Sequence, residues 1–459
     1  MHKKLIIFLS SIIIIFSPYF SFAQNKLNEK KLIEFGWDSP TISSLKSGIP
    51  QKANAPFDGV FFSNDFNIYT AFDTIQYPDS KFQYEDLSKI QWNKFTDNFL
   101  LVRGAGHAGA LWLDDKSWVK ISRNLKMISK ALAISKAKGI GFDPEYYFKD
   151  STLNPWVYRS SWYNNLSYQE VGDFVRRRGK QFIQALQTSK PDVKIFCFWL
   201  LGLAEMQNRS QPIDETGMAL YPFFVEGMLE GQNKLSEIID GDESSYWYQK
   251  PENFIESGEY QREKGSHLIK KPLQNKFKNV SLAQSVYLDG LYAKSPVFDK
   301  GFDKKTKEQW LKDNLYFALK TTDEYVWFYN EKINWWKNQV DSGVAEIING
   351  VRDKINLELN NNSSQIFGKS LIIDFKKKIP DNYQGFNYNY LQNKNILEIK
   401  LLKNDFKNIR VFKNSRLIYN IDNPGKNISI DLINKYNKKG NLIIMAKDSK
   451  GITSVSFVN

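Results

Sequence analysis

Lys138-Gly139-Ile140-Gly141-Phe142-Asp143-Pro144-Glu145-Tyr146-Tyr147 reads as a short buried strand that runs straight into a pair of carboxylates. Ile140 and Phe142 alternate with glycines that let neighbouring backbone come close, and Pro144 cannot continue a hydrogen-bonded ladder. Pairing therefore stops where the acids begin. If the extended course persists through the proline, Asp143 and Glu145 leave one face, roughly 6 to 7 Å apart at Cα. The same residues also fit a turn capped by Asp143 with Glu145 in a first helical turn.

Working outward, similar apolar runs recur with helical patterns between them. Leu32–Asp38, Phe57–Ser63 and Asn98–Gly104 precede the stretch, which is the fourth strand; Val193–Leu201, Leu235–Glu243, Ala283–Gly290 and Glu324–Glu331 follow it. The intervening segments include Lys116–Lys136, with apolar residues at helical spacing, and a helix opened by the capping box Ser167/Glu170 and running to about Gln187. Ser39 and Pro40 read as the N-cap and first residue of a short helix, and Asp86–Lys94, Pro222–Gly231, Asn253–Lys278, Lys305–Lys320 and Ser342–Ile355 as further helical segments. Eight strands alternating with helices predict a (β/α)₈ TIM barrel enlarged by loop insertions. A doubly wound open sheet is the alternative, but no Gly-rich phosphate loop follows the first strand.

Beyond about Asn360 the chain changes character. Ser370–Phe375, Ile396–Leu401, Ile409–Phe412, Ile428–Asp431, Leu442–Ala446 and Ile452–Val458 are short strands between Asn-, Gly- and Lys-rich turns, the pattern of an all-β immunoglobulin- or fibronectin-like sandwich. The expected organisation is a leader at residues 1–23, a barrel at 24–357, a linker at 358–366 and a sandwich at 367–459. In the leader, Lys3 and Lys4 precede the apolar run Leu5–Phe16, and Ser21-Phe22-Ala23 offers a cleavage site, so a secreted or periplasmic protein cut after Ala23 is expected. No other run is long enough to span a bilayer.

The one cysteine, Cys197, lies within an apolar run and reads as a buried small hydrophobe, so no internal disulfide can form. Beyond the leader only His107 and His267 remain, which argues against a histidine metal site or a Ser-His-Asp triad; neither metal nor cofactor is expected. The formal charge of +13 permits an anionic glycan partner. Arg176-Arg177-Arg178 sits in a predicted helix and reads as a solvated face, not a nucleic-acid stripe. Oligomeric state is left open.

In a barrel of this kind the active site lies at the C-terminal ends of the strands. Reading those ends gives Asp38, Arg103, Asp143 with Glu145, Asp240 to Glu243, Asp289 and Glu331, a ring of carboxylates accompanied by aromatic residues. Two carboxylates, one protonated and one ionised, are what glycosidic bond cleavage needs, while flat rings suit the CH-rich faces of sugars. Glu145 is the first choice for general acid/base and Asp143 for nucleophile or stabiliser, with Asp240, Asp242 and Glu331 competing for the second carboxylate. Trp37, Asp38, Arg103, Tyr146, Trp199, Trp247, Asp289 and Trp335 are the candidate substrate-binding residues; Trp199 fits core equally well.

On Phe-Gly-Trp-Asp at 35–38, Phe-Asp-Gly-Val-Phe-Phe at 57–62, Gly-Phe-Asp-Pro-Glu at 141–145 and Tyr325–Trp336, the chain from Leu32 to Ile355 resembles the glycoside hydrolase superfamily of TIM barrels. Gly-Phe-Asp-Pro-Glu is similar to the strand-four Asp-x-Glu of chitinase-like hydrolases, which implies Glu145 as acid and Asp143 as helper of a substrate acetamido group. It departs from them at 139 and 141, where glycines replace aspartates. A second resemblance, to α-glycosidase families, implies Asp143 as nucleophile and Asp240 or Asp242 as acid. The expected function is an exported glycoside hydrolase acting on an oligo- or polysaccharide. The alternatives are a non-catalytic carbohydrate-binding or cell-surface protein, and a calcium-dependent enzyme in which Asp240, Asp242 and Glu243 hold the ion.

Overall fold

The computed structural model describes residues 30–104, 109–147, 154–248, 250–292, 303–359, 365–369, 385–391, 394–432, 442–449, 451 and 453–458. The expected leader, His107, the linker residues 360–364 and the expected strand Ser370–Phe375 lie outside them.

The first unit is a closed parallel barrel. Its strands are β1 (Lys31–Gly36), β2 (Gly59–Phe62), β3 (Phe99–Arg103), β4 (Gly139–Asp143), β5 (Lys194–Cys197), β6 (Glu237–Asp240), β7 (Ser281–Leu282), β8 (Gln284–Tyr287) and β9 (Tyr325–Asn330). The hydrogen-bonded order runs from β7 through β6 down to β1 and on to β9 and β8. Only Ala283 separates β7 from β8. Together they form one interrupted strand, which pairs β6 at its start and β9 at its end and so closes eight staves. All eight expected strands are present, each shorter than its apolar run, because the ends of those runs turn into the loops that build the mouth.

The barrel interior is a plug of rings. Phe61 lies 5.2 to 5.4 Å, centroid to centroid, from Phe35, Phe99, Phe196 and Phe198, and Trp327 stacks on Phe198 at 4.9 Å. Gly141 makes this possible: a Cβ there would stand 2.4 Å from the Phe61 ring. Gly139 meets backbone instead, since its Cβ would fall 1.8 Å from the Lys194 carbonyl oxygen. With the interior filled, any ligand must bind above the plug, at the strands' C-terminal mouth.

Helices cover the barrel. Helix Asp115–Ser135 buries Trp118, Ile121, Leu125, Ile128 and Leu132; helix Tyr168–Leu186 opens with the Ser167/Glu170 capping box. The first short helix runs Ile42–Gly48 and is capped by Thr41, because the Ser39 hydroxyl is already taken by the Gly36 N–H. The segment 253–278 is not one helix but a succession, Pro251–Gly258, a π-helical Glu259–Lys264 and Lys271–Lys278. Among the described residues no helix is long and apolar enough to cross a membrane.

The second unit is a β-sandwich of two four-stranded antiparallel sheets. One holds β10 (Gln365–Lys369), β11 (Phe386–Leu391), β12 (Ile396–Leu401) and β15 (Asn427–Asp431); the other holds β14 (Arg416–Asp422), β13 (Phe406–Lys413), β16 (Leu442–Asp448) and β17 (Thr453–Val458). The strands β10, β11 and β14 had no counterpart in the sequence reading.

Candidate active site

Strand β4 delivers Asp143 to the mouth and then stops abruptly. The Gly104 N–H donates to the Asp143 carbonyl oxygen, and the Trp156 indole N–H donates to that of Pro144 at 2.7 Å. The Asp143 carboxylate receives the Glu145 N–H on Oδ1 at 3.0 Å and the Tyr147 hydroxyl on Oδ2 at 2.8 Å. Asp143 thus does cap a turn, yet the turn also aims it. Burial pushes its pKa up to about 6, with the Glu145 charge adding and the two hydrogen bonds and the Arg103 charge opposing. Glu145 itself is exposed. Arg103, level with Asp143 on the adjacent strand, extends to the Asn67 amide oxygen at 2.8 Å.

The residue that meets this pair from across the mouth is Glu243. After β6 the chain passes through Asp242 in the left-handed region, φ 45°, and Glu243 opens a short 3₁₀ turn, Glu243–Trp247. Burial, followed by the charges of Asp143 and Glu145, pushes its pKa up to about 8. Near neutral pH, therefore, a protonated Glu243 faces an ionised Asp143.

Aromatic residues wall the rest. Tyr246 stacks on Tyr329 at 5.1 Å, Tyr287 lies 5.4 and 5.5 Å from those two rings, and Trp247 lies 6.1 Å from Tyr287. The Tyr329 hydroxyl donates to Glu331 at 3.4 Å and also feels the Glu243 charge. Trp37, 76 % exposed, interacts with Tyr329, and Trp247 is 54 % exposed. Both stand at the mouth as flat solvent-facing surfaces. Tyr146 is half-buried, and its neighbour Tyr147 is the one that bonds Asp143.

Several sequence candidates lie elsewhere. Asp240 is buried against Cys197 and Tyr221, and accepts the Asp242 N–H at 3.0 Å. The Asp242 carboxylate is also buried, bonded by the Tyr248 hydroxyl and by Gln261 at 2.7 Å. Because strand alternation breaks at the left-handed residue, these two acids support the β6 turn from behind while Glu243 takes the mouth. Asp240, Asp242 and Glu243 do not converge as a calcium site: no group of three or more His, Cys, Asp or Glu able to hold a metal ion occurs among the described residues.

Asp38 likewise turns away from the mouth. Its carboxylate accepts the Trp335 N–H at 2.7 Å and shares a buried pocket with Glu34, to which the Trp336 indole donates. Burial and the Asp38 charge hold Glu34 well above the usual carboxylate range, so this pair retains a proton. Trp335 is core, 4.8 Å from Phe57, and Trp199 is core against Tyr221 at 5.0 Å. Asp289, 2 % exposed, accepts three successive N–H groups, those of Glu331, Lys332 and Ile333, at 2.6, 2.6 and 3.0 Å. It cannot also hold a sugar; it holds the turn that presents Glu331.

No family model matches the sequence, and no curated protein matches it. Among solved structures it is similar to a trimodular GH5_4 subfamily endoglucanase, at 8% identity over 94% of this chain and 77% of that one, TM-score 0.39. A broad-specificity GH5-4 endoglucanase from an uncultured bacterium shares 12% identity over 69% and 86%, TM-score 0.39. A D-psicose 3-epimerase shares 10% over 71% and 97%, TM-score 0.34. Likeness this slight carries no argument about activity, and hydrolases and an epimerase point to different chemistry. The chemistry must come from the mouth itself.

Proposed function

We propose that the protein is a glycoside hydrolase in which Glu243 is the general acid and Asp143 the ionised partner. The observation that carries this is the opposed state of two carboxyls in one aromatic-walled mouth: Glu243 held protonated to about 8 and Asp143 ionised above about 6. Glycosidic cleavage asks for such a division. The acid gives its proton to the leaving oxygen while the carboxylate meets the positive charge that develops on the sugar ring. Tyr147 and the Glu145 N–H, both donating to Asp143, keep it ionised and aimed. Glu145, first choice for the acid on sequence grounds, is better suited as a flanking charge that raises Glu243. Trp37 and Trp247 provide platforms for sugar faces on either side. The leader-like residues 1–23 support an exported enzyme.

The test is a screen of the purified protein against polysaccharides and aryl glycosides, reading reducing ends and product masses. Glu243→Gln, which keeps shape and removes the proton, should lower turnover by about 10²- to 10⁴-fold with an unchanged melting temperature or a higher one. Asp143→Asn should do the same to turnover. Full activity in Glu243→Gln would refute the assignment. Binding of a glycan without any product would favour the non-catalytic reading.

A further inference from the structure

The hydrolase reading leaves Arg176-Arg177-Arg178 unused, and the triplet is not the uniformly solvated face its sequence suggests. Arg176 pairs with Asp173 and Glu226. Arg178 is 1 % exposed, and its guanidinium donates to the Trp112 carbonyl at 3.0 Å, to the Gln181 amide oxygen at 2.9 Å and to Asp115 at 2.5 Å. It also lies over the Trp118 ring, 5.3 Å from the centroid. So held, Arg178 and Trp118 form the base of a groove of about 490 Å³ on the barrel's flank, between helices Asp115–Ser135 and Tyr168–Leu186. Small-molecule sites commonly span about 300 to 1,000 Å³.

The groove's lining carries hydrogen-bonding capacity that the protein itself does not use. The Trp118 indole N–H is buried and has no acceptor among the described residues. The Ser122 hydroxyl, the Gln181 amide nitrogen and the Lys126 ammonium likewise make no hydrogen bond or ion pair among them. Buried donors are seldom left this way in native structures.

Charge is unbalanced as well. Arg123, Lys126 and Arg178 line the groove against one acid, Asp115, which Arg177 also approaches at 3.2 Å. Arg123 otherwise reaches only the Gln76 amide oxygen and the Tyr77 carbonyl, at 3.3 and 3.4 Å. Such a surface attracts an anion, but a bare inorganic ion would leave most of the volume empty. Val119, 72 % exposed, and the alkyl stems of Arg123 and Lys126 offer a CH-rich wall to the body of a larger ligand. Asp115, an acid set among cations, is an acceptor for hydroxyl groups.

We propose that this groove is a second binding site, for a uronate-bearing oligosaccharide. The sugar carboxylate is drawn to Arg123 and Lys126, and the ring hydroxyls find partners in Asp115, Ser122 and Gln181. An acidic peptide would match the charge but bring few hydroxyls for Asp115. None of the lining residues belongs to the mouth, so the proposal stands whether or not the mouth cleaves sugars.

The test is calorimetric titration of the purified full-length protein with galacturonate oligosaccharides, neutral galactose oligosaccharides of equal length, a glutamate-rich peptide and inorganic phosphate. The uronate should bind at least about tenfold more tightly than its neutral counterpart, since one charge-assisted hydrogen bond contributes enough for that ratio. Its affinity should fall as salt is raised. Arg123→Gln combined with Lys126→Gln should remove the preference, and Ser122→Trp, which fills the groove without changing its charge, should abolish binding. None of these three side chains is buried, so the melting temperature should hold. Equal affinity for uronate and neutral sugar, a uronate preference that survives the double substitution or Ser122→Trp, or equally tight binding of the peptide or of phosphate would overturn the proposal.

Discussion

At the residue scale the decisive contrast is between Glu243 and Asp143, a half-buried and a buried carboxyl whose surroundings differ. Asp143 receives two hydrogen bonds and the Arg103 field, which offset part of its burial, whereas Glu243 gains only more negative charge. The pair should give a bell-shaped kcat/KM with apparent pKa values near 6 and 8, the acid limb reporting Asp143 and the alkaline limb Glu243. Glu243→Gln should abolish the alkaline limb in whatever activity remains; a profile flat from pH 5 to about 9 would contradict the assignment. Stability follows the same titration. The folded protein keeps the Glu243 proton to about 8 while an unfolded chain releases it near 4.3, so stability should fall as pH rises through that window. Asp143 was legible in the sequence because a strand, a proline and a second acid mark it. Glu243, named there only within the acidic run, was not legible as a catalytic acid, because the left-handed residue of the turn is Asp242 and not the preceding Gly241, and simple alternation from Asp240 favours Asp242 instead.

At the scale of single elements, what matters is how each strand end is held. The turn after β9 carries Glu331 on its first residue, and Asp289 fixes it with one buried carboxylate serving three N–H donors. Asp289→Asn removes the charge and one acceptor oxygen, and should cost roughly 2 to 4 kcal/mol of stability, since hydrogen bonds to a buried charge contribute about 1.5 to 3 kcal/mol. It should also loosen Glu331 and raise KM, leaving both limbs of the pH profile in place; melting curves and a KM-against-kcat comparison check this, and an unchanged KM would deny Asp289 its positioning role. The barrel strands were readable because each is a continuous apolar run between turn residues. The side chains at their ends were not, since an acid after a strand reads the same whether its carboxylate stays partly open to solvent, as that of Glu331 does, or bonds backbone, as those of Asp289 and Asp38 do. In the sandwich, β11 alternates buried Phe386 and Tyr388 with asparagines, a period-2 signal hidden by residues that usually mark turns.

At the scale of the whole molecule, the sandwich is built into the barrel rather than hung from it. Along β16 the side chains alternate between two cores: Leu442, Ile444 and Ala446 join the sandwich interior, while Ile443 and Met445 join the barrel's cluster, with Phe412, Val455 and Phe457 beside them. Phe457 packs on Tyr316 and Phe317 of the barrel helix Lys304–Thr321. Polar contacts fix the joint: Asn414 donates to Asp323 at 2.9 Å, Ser415 to the Thr321 carbonyl at 3.2 Å, and Gly258 leaves the space that Ser415 fills. Asp323 and Thr321 precede β9, so these contacts lie at the N-terminal end of the strands, opposite the mouth, where a barrel is stabilised rather than made active. The sandwich is therefore packed on the end of the barrel opposite Glu243. Removing it uncovers a row of apolar side chains, each contributing about 1.5 to 3 kcal/mol when buried. A chain ending at residue 357 should consequently be poorly soluble, or melt well below the full protein, while any folded fraction keeps its specificity among glycans. A soluble truncated barrel with full thermal stability would show instead that the sandwich is an independent module, and would return the question of what it binds.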